Sequence, residues 1–276
     1  MTELSIITVN YRNPALLRLF LRSLSRVMPT GFRSEVIVVD SASTPETRMV
    51  VTEDARGWFS SLVLLPFDKN LGYTRGNNEG IRASTGKYVL LLNPDIVPMK
   101  GAIERLKTHL DIHPETGLVG PQLLNFDGSR QETCFRFMTP YTLLCRRMPY
   151  LPAAKRVVGR YLMRDADFSR ECTVDWLMGS AYMTTRSAIE RVGMLDETFF
   201  HYMSDVEWPR RFWYHGLTVS YCPEARMYHY HQRESKGRLG VFDIISRKQA
   251  RWHVRDAFRY FKAAGASGMR PARVLT

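Results

Sequence analysis

Short runs of apolar residues, separated by helical patterns, most constrain how this chain can fold. Leu4 to Val9 (LSIITV), Glu35 to Val39 (EVIVV) and Tyr88 to Leu92 (YVLLL) are each the length of one strand and read as strands buried on both faces. A helical pattern from about Pro14 to Val27 lies between the first two, and Ser61 to Leu65 supplies a further strand. Strands that alternate with helices in this way predict βαβ units and a parallel sheet, which is an α/β fold.

The alternation becomes less regular after residue 95. The segment 129–170 contains three prolines and has no clean period, and the tail 241–262 fits an amphipathic helix with basic residues on one arc. The other predicted elements are a helix near Gly101 to His113, a strand-like stretch from Val174 to Thr184, a short helix from Arg186, a helix over 205–215 and a last strand from Leu217 to Cys222.

The chain has a formal net charge of +12, and this charge is unevenly distributed. Residues 129–170 carry +6 and residues 231–276 carry +8, so the rest of the chain sums to −2. Such an excess indicates a polyanionic partner, which is nucleic acid, anionic lipid or a phosphorylated substrate. Nucleic-acid binding would need basic residues interleaved with base-stacking aromatics on a recognised module, and the sequence contains no such module. We therefore predict no nucleic-acid partner.

Composition and local sequence exclude several other classes of protein. With 45% hydrophobic and 24% charged residues among 276, the chain can fill one large core. No stretch approaches 18 apolar residues, and MTELSIITVNYRNP lacks the basic leader and cleavage site of a secretory signal. The four cysteines, Cys134, Cys145, Cys172 and Cys222, lie far apart, which argues against a zinc site or a disulfide framework. We expect a cytoplasmic protein with reduced, buried thiols.

Polar and aromatic residues follow three predicted strands at their carboxyl ends, where open parallel sheets bind ligands. Asn10 and Tyr11 follow the first strand, Asp40 follows the second, and Asn93-Pro94-Asp95 follows the fourth. An aromatic ring can lie beside a nucleobase, and carboxylates can accept from a base or ribose or hold a cation at a diphosphate. Their joint placement favours a nucleotide-sugar site, whereas each residue alone fits a loop polar group or a helix cap equally well.

A glycine-rich segment, NLGYTRGNNEG at 70–80, precedes the fourth strand. It does not match the dinucleotide fingerprint, because it does not directly follow the first strand, and it is not a P-loop, because no G-K-[ST] follows. Glycines allow a backbone to approach a ligand closely, and the Arg75 guanidinium can offer two N–H groups to a phosphate. The alternative is a glycine-rich helix start that serves packing alone.

Two further segments contain candidate catalytic and metal-binding residues. Asp205 follows a run of aromatic residues, and at the start of a helix facing a cleft its pKa would be raised by apolar neighbours, which suits a general base. Its alternative role is that of a carboxylate favoured by the helix dipole. His229 and His231 form an H-x-H pair after a predicted strand and turn; on extended backbone their rings point in opposite directions, so at most one faces a site. The alternative for a lone histidine is a structural role.

These segments together resemble family 2 glycosyltransferases, specifically their rhamnosyltransferase-like branch. The resemblance implies a GT-A fold, in which a Rossmann-like nucleotide-binding half, 1–100, merges with an acceptor-binding half, 101–235, that carries the basic insertion 129–170. A basic helical tail, 236–276, would follow. The matching pieces occur in the family's order from residue 4 to about residue 235: SIITVNYRN, VIVVDSAS, NLGYTRGNNEGI, YVLLLNPD, WLMGSAYMTTRSAIERVGMLDETFF, MSDVEWPRRFWYHG and MYHYHQRES.

The resemblance also implies which residues bind the nucleotide sugar. Asn10, Tyr11 and Asp40 match contacts to the base and ribose of the donor, and Arg75 and Asn77 match contacts to ribose or diphosphate. The segment from Trp176 to Gly179 matches the lining of the donor-sugar and acceptor cleft, as does the segment from Asp196 to Phe200.

The implied metal ligands and catalytic base come from three further positions. Asn93-Pro94-Asp95 stands in place of the D-x-D metal motif, so Asp95 is the retained carboxylate and Asn93 replaces the first acid. His229 stands where relatives supply another ligand to the Mg²⁺ or Mn²⁺ ion. Ser204-Asp205 replaces an E-D or D-D pair whose second acid is the base.

The implied activity is an inverting transfer of L-rhamnose from dTDP-rhamnose to a hydroxyl of a lipid-diphosphate-linked or growing cell-surface saccharide. A UDP-hexose or UDP-N-acetylhexosamine donor is the first alternative, because these motifs do not read the base or the sugar. An inactive nucleotide-sugar-binding scaffold is the second, suggested by Asn93 and Ser204. We also expect the two basic segments to hold the protein at the anionic inner face of the plasma membrane, the alternative being a tail packed on its own domain.

Overall fold

A mixed nine-stranded sheet organises the chain in the computed structural model, which describes residues 2–147, 151–200, 202–230 and 248–264. Its path runs β3-β2-β1-β4-β10-β6-β11-β5, with β8 beside β11, and β7 and β9 form a separate two-stranded ribbon. The strands are β1 (Leu4–Tyr11), β2 (Ser34–Ser41), β3 (Leu62–Phe67), β4 (Tyr88–Leu92), β5 (Ile96–Pro98), β6 (Thr116–Leu124), β7 (Cys134–Phe135), β8 (Cys172–Thr173), β9 (Trp176–Leu177), β10 (Ala181–Thr185) and β11 (Thr218–His229).

Helices cover both faces of this sheet. Strand residues of odd and even number enter different core clusters: Ile6 packs with α1 residues such as Leu17, whereas Ile7 packs with Ile81 of α3. The helices are α1 (Pro14–Ser25), α2 (Pro45–Met49) continued by a π-helical turn (Val50–Asp54), α3 (Gly72–Ala83), α4 (Ala102–Ile112), α5 (Pro140–Arg147), α6 (Pro152–Tyr161), α7 (Arg186–Val192), α8 (Ser204–Tyr214) and α9 (Lys248–Ala264).

The predicted parallel sheet is confirmed for the first four strands. β1 pairs in parallel with β2 on one side and β4 on the other, and β2 pairs in parallel with β3. The register sets Asn10 opposite Asp40 and Tyr11 opposite Ser41. The polar residues that were predicted to follow the two strands are thus the last residues of β1 and β2, and they lie side by side at one edge of the sheet.

The last strand is longer than predicted, and the predicted turn before His229 is wrong. β11 continues through residue 222 to His229 and pairs in parallel with β6, with a register shift between Cys222 and Arg226. Pro223 lies within that shift, where an irregularity accommodates a residue that cannot donate a ladder hydrogen bond. His231 and residues 241–247 of the predicted tail helix lie outside the described residues.

Two other predictions of secondary structure are wrong in detail. The stretch Val174 to Thr184 is not one strand, because β9 joins β7 in the ribbon whereas β10 joins the main sheet. The segment 129–170 contains the helices α5 and α6, which were not predicted because its three prolines interrupt any helical pattern. Pro140 and Pro152 are the first residues of these helices, where the missing N–H leaves no intrahelical hydrogen bond unmade.

A third cluster of buried side chains joins the ribbon to α6, α8 and α9. Trp176, Val206, Ala257 and Tyr260 pack in it, so one face of α9 lies against the domain. Within the described residues, none of the helices combines the length and hydropathy needed to span a bilayer. The four thiols are free; three are buried, but Cys172 is only half-buried, contrary to prediction.

Two glycines of α3 allow this helix to lie close to β1. A Cβ at Gly76 would lie 2.7 Å from Val9 Cγ1, and one at Gly80 would overlap Ile7 Cγ2. The packing role considered for this glycine-rich segment is therefore present in the structure.

Gly80→Ala should lower the free energy of unfolding by about 1–3 kcal/mol, because Ile7 must move to admit the methyl group. Gly159→Ala in α6 is the matched control, since a Cβ there meets nothing within 4 Å and the helix gains up to about 1 kcal/mol. Urea unfolding of both variants measures the difference. Equal effects of the two substitutions would contradict the close packing of α3 on β1.

Candidate functional site

Asn10 and Asp40 form a fully buried pair at the carboxyl ends of β1 and β2. Asn10 Nδ2 donates to Asp40 Oδ1 at 2.8 Å and to Thr47 Oγ1 at 3.3 Å. The amide oxygen of Asn10, Oδ1, and the second carboxylate oxygen of Asp40, Oδ2, have no hydrogen-bond partner among the described residues. A buried oxygen without a donor is costly, so this pair fits a ligand that brings N–H or O–H groups.

The backbone next to this pair is held in unusual conformations. Tyr11 is exposed, with the Arg12 guanidinium carbon 5.9 Å from its ring centroid. Arg12 has φ +48° and Ala42 has φ +56°, in the left-handed region that residues with a Cβ adopt at a cost. The strained turns after β1 and β2 thus flank the two unpartnered oxygens.

Asp95 and His229 meet because β5 pairs antiparallel with the end of β11. The register sets His229 opposite Ile96, the residue after Asp95, and the Tyr230 N–H donates to the Asp95 carbonyl at 2.9 Å. Asp95 Oδ2 lies 3.4 Å from Nε2 of the buried His229. Asp95 Oδ1 is buried and has no hydrogen-bond partner among the described residues.

This pair fits a divalent cation. One carboxylate with a buried, unpartnered oxygen and one imidazole nitrogen are oxygen and nitrogen donors that Mg²⁺ or, better, Mn²⁺ accepts. Asn93, at the first position of the motif, is half-buried, and its backbone N–H donates to the Ser180 carbonyl at 2.8 Å. The structure therefore brings together the two side chains that the sequence predicted as metal ligands.

Another cluster of metal-ligating side chains lies elsewhere, on α4 and before β8. His109, His113 and Glu171 bring one ligand atom each to within 4.8 Å of one another. His109 Nδ1 pairs with Glu171 at 3.0 Å, and His109 Nε2 is buried with no hydrogen-bond partner among the described residues. A metal on Nδ1 would force the proton onto this buried Nε2, so a hydrogen bond from a neutral Nδ1–H to Glu171 suits the cluster better.

Asp205 lies in the first turn of α8. Burial raises the pKa of its carboxyl from an ordinary 3.8 to about 6, although the backbone N–H groups of Gly179 and of Asp205 itself oppose the shift. The direction agrees with that expected from the sequence. Met203, directly before the helix, has φ +68°, so a strained residue fixes where α8 begins.

Gly179 lies against Asp205 where a side chain would not fit. A Cβ there would lie 2.9 Å from Tyr73 Oη and 3.0 Å from Asp205 Cβ. Tyr73 Oη donates to the Gly179 carbonyl at 2.5 Å and lies 3.0 Å from Tyr182 Oη. Burial raises the pKa of both tyrosines well above the usual range, which keeps both hydroxyls protonated as donors.

The sequence reasoning missed both tyrosines and Asn78. Tyr73 and Asn78 belong to the glycine-rich segment, but nothing in the sequence indicates contacts more than a hundred residues away. Asn78 Oδ1 accepts from the Leu195 N–H at 3.1 Å, and Nδ2 donates to the Leu195 carbonyl at 2.8 Å and to Glu197 at 2.9 Å. These bonds hold α3 against the segment from Asp196 to Phe200.

The other three predicted binding residues differ in their surroundings. Arg75 is exposed on α3, 3.6 Å from Glu79. Asn77 is buried and donates to the Tyr73 carbonyl at 2.9 Å. Trp176 is buried in the ribbon, where it stacks on Phe135 at 4.2 Å and donates to the Arg136 carbonyl at 3.0 Å. Their contacts to a donor or acceptor stay predictions.

The model of the family described as glycosyl transferase family 2 matches residues 5–168 of this chain. The chain belongs to glycosyl transferase family 2. That match runs from β1 through the Asn10–Asp40 pair and Asp95 into the basic insertion, and it confirms the resemblance seen in the sequence.

Curated relatives are similar to a larger share of the chain than the family model matches. Low-salt glycan biosynthesis hexosyltransferase Agl10 of Haloferax volcanii is 30% identical over 227 residues, which are 80% of this chain and 64% of that protein. N-acetylglucosaminyl-diphospho-decaprenol L-rhamnosyltransferase of Mycobacterium tuberculosis is 29% identical over 258 residues, 85% of this chain and 78% of that protein. The chain is thus similar to rhamnosyltransferases of the family but spans under two thirds of Agl10.

The solved structure of GalNAc-T7 with UDP, GalNAc and Mn²⁺ aligns with a TM-score of 0.64 at 15% identity, covering 85% of this chain and 45% of that one. At this identity the likeness shows the fold, and the family 2 chain has the GT-A fold predicted for it.

Asp205→Asn should change how the stability of the protein depends on pH. The folded protein keeps the Asp205 proton up to about pH 6, whereas an ordinary aspartate releases it near 3.8, so ionisation destabilises the fold as pH rises through 6. The variant should therefore melt above the wild type at pH above 6, and the difference should disappear below pH 3.8. Thermal unfolding across this range tests it, and a constant difference at all pH values would contradict the raised pKa.

Proposed function

We propose that this family 2 chain is an inverting glycosyltransferase in which Asp205 is the general base. The observation that carries the proposal is the contact path from Asp205 to the Asp95–His229 pair. The Gly179 N–H bonds Asp205, and the next residue, Ser180, accepts from the N–H of Asn93, two residues before Asp95. This path supports a single site that contains both a carboxylate of raised pKa and a pair suited to a cation.

In the proposed reaction the acceptor hydroxyl gives its proton to Asp205 while its oxygen bonds to C1 of the donor sugar. The bond from C1 to the diphosphate breaks at the same time, and the nucleoside diphosphate leaves with the electron pair, which inverts C1. A Mg²⁺ or Mn²⁺ ion held by Asp95 and His229 would supply positive charge to the departing diphosphate. A pKa near 6 leaves Asp205 ionised at neutral pH yet a stronger base than an ordinary aspartate.

The Asn10–Asp40 pair and Tyr11 are proposed to hold the nucleoside. Asn10 Oδ1 and Asp40 Oδ2 would accept from base N–H or ribose hydroxyl groups, which removes the cost of leaving both oxygens unpartnered. The exposed ring of Tyr11 offers an apolar surface beside a base. Arg75, on the exposed face of α3, would contact ribose or diphosphate together with Asn77.

The donor is proposed to be dTDP-rhamnose, and the acceptor a lipid-diphosphate-linked or growing cell-surface saccharide. Support comes from the similarity to a mycobacterial L-rhamnosyltransferase whose named acceptor is N-acetylglucosaminyl-diphospho-decaprenol. The similarity to a hexosyltransferase supports the alternative of a UDP-hexose or UDP-N-acetylhexosamine donor.

Asp205→Asn should lower the rate of sugar transfer by about 10²–10⁴-fold while donor affinity stays close to that of the wild type, because only the proton acceptor is lost. A thermal-shift panel of dTDP- and UDP-sugars with and without Mn²⁺ identifies the donor, and product formation then gives the rate. Asp167→Asn is the matched control, since Asp167 is exposed and, among the described residues, contacts Ser169 and Arg170.

The outcomes of that experiment separate the candidate functions. Unchanged transfer by Asp205→Asn would remove Asp205 from the role of base. A second outcome is that the wild type binds the donor yet transfers no sugar to either a lipid-diphosphate-linked or a growing cell-surface saccharide. That result would favour the nucleotide-sugar-binding scaffold. A larger shift with UDP-sugars would select the alternative donor.

We also propose that α5, α6 and α9 form a face that contacts an anionic membrane surface, which would place the protein at the inner face of the plasma membrane. Tyr141, Leu144 and Leu151 are 58%, 56% and 43% exposed beside the arginines of the basic insertion. Phe258 of α9 is 71% exposed although the opposite face of that helix packs on the domain. Exposed apolar groups flanked by basic residues are what binding to an anionic bilayer needs.

Replacing Leu144 and Leu151 together by Ser should lower sedimentation with vesicles of anionic phosphatidylglycerol, because two exposed apolar groups are lost at the proposed contact. Leu19→Ser is the control, since this leucine is 65% exposed on α1, away from the basic insertion. Vesicles of zwitterionic phosphatidylcholine should bind both forms weakly. Equal sedimentation of the double variant and the wild type would exclude this face.

A further inference from the structure

A chain of hydrogen-bonded side chains leads from the exposed turn after β6 to the buried ring of His229. Ser129 Oγ donates to Asp127 Oδ1 at 2.6 Å, and Asn125 Nδ2 donates to Ser129 Oγ at 2.8 Å. Gln131 Nε2 donates to Asn125 Oδ1 at 2.8 Å, and Gln131 Oε1 lies 2.8 Å from His229 Nδ1. Asp127 is thus connected through three polar side chains to a predicted metal ligand.

The orientation of the Gln131 amide is fixed by its surroundings. Its Nε2 faces the backbone carbonyls of His229 at 3.0 Å and Leu124 at 3.5 Å, and a carbonyl can only accept. The other end of this series of hydrogen bonds, at Asp127, requires the same donor-to-acceptor direction. Asp127 is exposed, and hydrogen bonds from Ser129 lower its pKa, so it is an anion that can only accept. Every donor in the chain therefore points toward Asp127, and Gln131 presents its oxygen to His229.

This polarity determines which nitrogen of neutral His229 carries the proton. Since Gln131 Oε1 is an acceptor, Nδ1 must be the N–H, and Nε2 presents its lone pair toward Asp95 Oδ2 at 3.4 Å. Two acceptors then face each other in a buried place, beside the unpartnered Asp95 Oδ1. The opposite tautomer would let Nε2–H donate to Asp95 Oδ2, but it would leave the Nδ1 lone pair facing the oxygen of Gln131.

We propose that Gln131 is a positioning residue that holds His229 in the Nδ1–H tautomer, so that Nε2 and Asp95 together accept a divalent cation. It favours the form in which His229 Nε2 and Asp95 Oδ2 are both acceptors over a hydrogen bond from Nε2–H to Asp95. The use of that cation in sugar transfer rests on the proposed function, whereas the tautomer and cation binding do not.

The tautomer can be observed directly in the metal-free protein. Long-range ¹H–¹⁵N spectra of the imidazoles, recorded above the usual histidine pKa, distinguish the two neutral forms, and loss of signals in His229→Gln assigns them. The wild type should show Nδ1–H at His229, and Gln131→Met should shift this ring toward Nε2–H. An Nε2–H ring in the wild type would overturn the proposal.

Binding of Mn²⁺ alone, followed by electron paramagnetic resonance of the free ion, tests the consequence. Gln131→Met should weaken Mn²⁺ about 10–100-fold, the loss typical of removing a partner that orients a ligating histidine. Gln122→Met, at a half-buried glutamine of β6, is the matched control and should bind as the wild type does. Asn125→Ala removes one acceptor of Gln131 but keeps the His229 carbonyl, so it should have a smaller effect.

These measurements separate the proposal from the proposed function. Wild-type affinity in Gln131→Met with an unchanged tautomer would overturn the role of Gln131, whatever the transfer assay shows. If Gln131→Met does not fold, the wild-type spectrum and the Mn²⁺ affinity of Asn125→Ala decide instead. Absence of Mn²⁺ binding by the wild type would overturn the shared cation site, whereas absent transfer alone would count only against the enzyme.

Discussion

The antiparallel pairing of β5 with the end of β11 is the constraint on which the site depends. Three residues of β5 pair with Met227 to His229, and this short ladder places Asp95 Oδ2 3.4 Å from the imidazole of His229. Because β11 also lies parallel to β6, the turn after β6 is brought to the same place and delivers Gln131 to His229. One edge of the sheet therefore assembles groups from three distant parts of the sequence.

Features that depend on a short stretch of sequence could be predicted, whereas contacts between distant residues could not. β1, β2 and β4 contain continuous apolar runs, so these strands and the polar residues at the ends of two of them, Asn10 and Asp40, were predictable. The predicted last strand ends at Cys222, before Pro223, a residue that cannot donate a ladder hydrogen bond. Only the pairing with β6, which has a register shift at this place, shows that β11 continues to His229. The contact between Tyr73 and Gly179 leaves no pattern in the sequence, because it depends on how α3 and the segment before β10 pack in three dimensions.

The site keeps its acidic groups distinct through different surroundings. Asp205 lies beside Gly179 and near Tyr73, and burial raises its pKa to about 6. Asp40 instead accepts a hydrogen bond from Asn10, and Asp95 lies beside an imidazole. The three carboxylates thus differ in their neighbours rather than in residue type.

The distribution of charge adds a further step to this argument. The parts of the chain outside 129–170 and 231–276 sum to −2, so the halves that carry the candidate site have no strong positive field of their own. A diphosphate bound there would need local compensation, and the unpartnered oxygen of Asp95 with the imidazole of His229 offers a place for a cation to provide it. The basic residues of 129–170 belong to the same segment as the exposed Tyr141 and Leu144, so attraction toward an anionic surface would be separate from binding of the donor. Lipid and nucleotide phosphates would then be recognised by different parts of the chain, and an anionic bilayer would not compete with the donor for the same cationic groups.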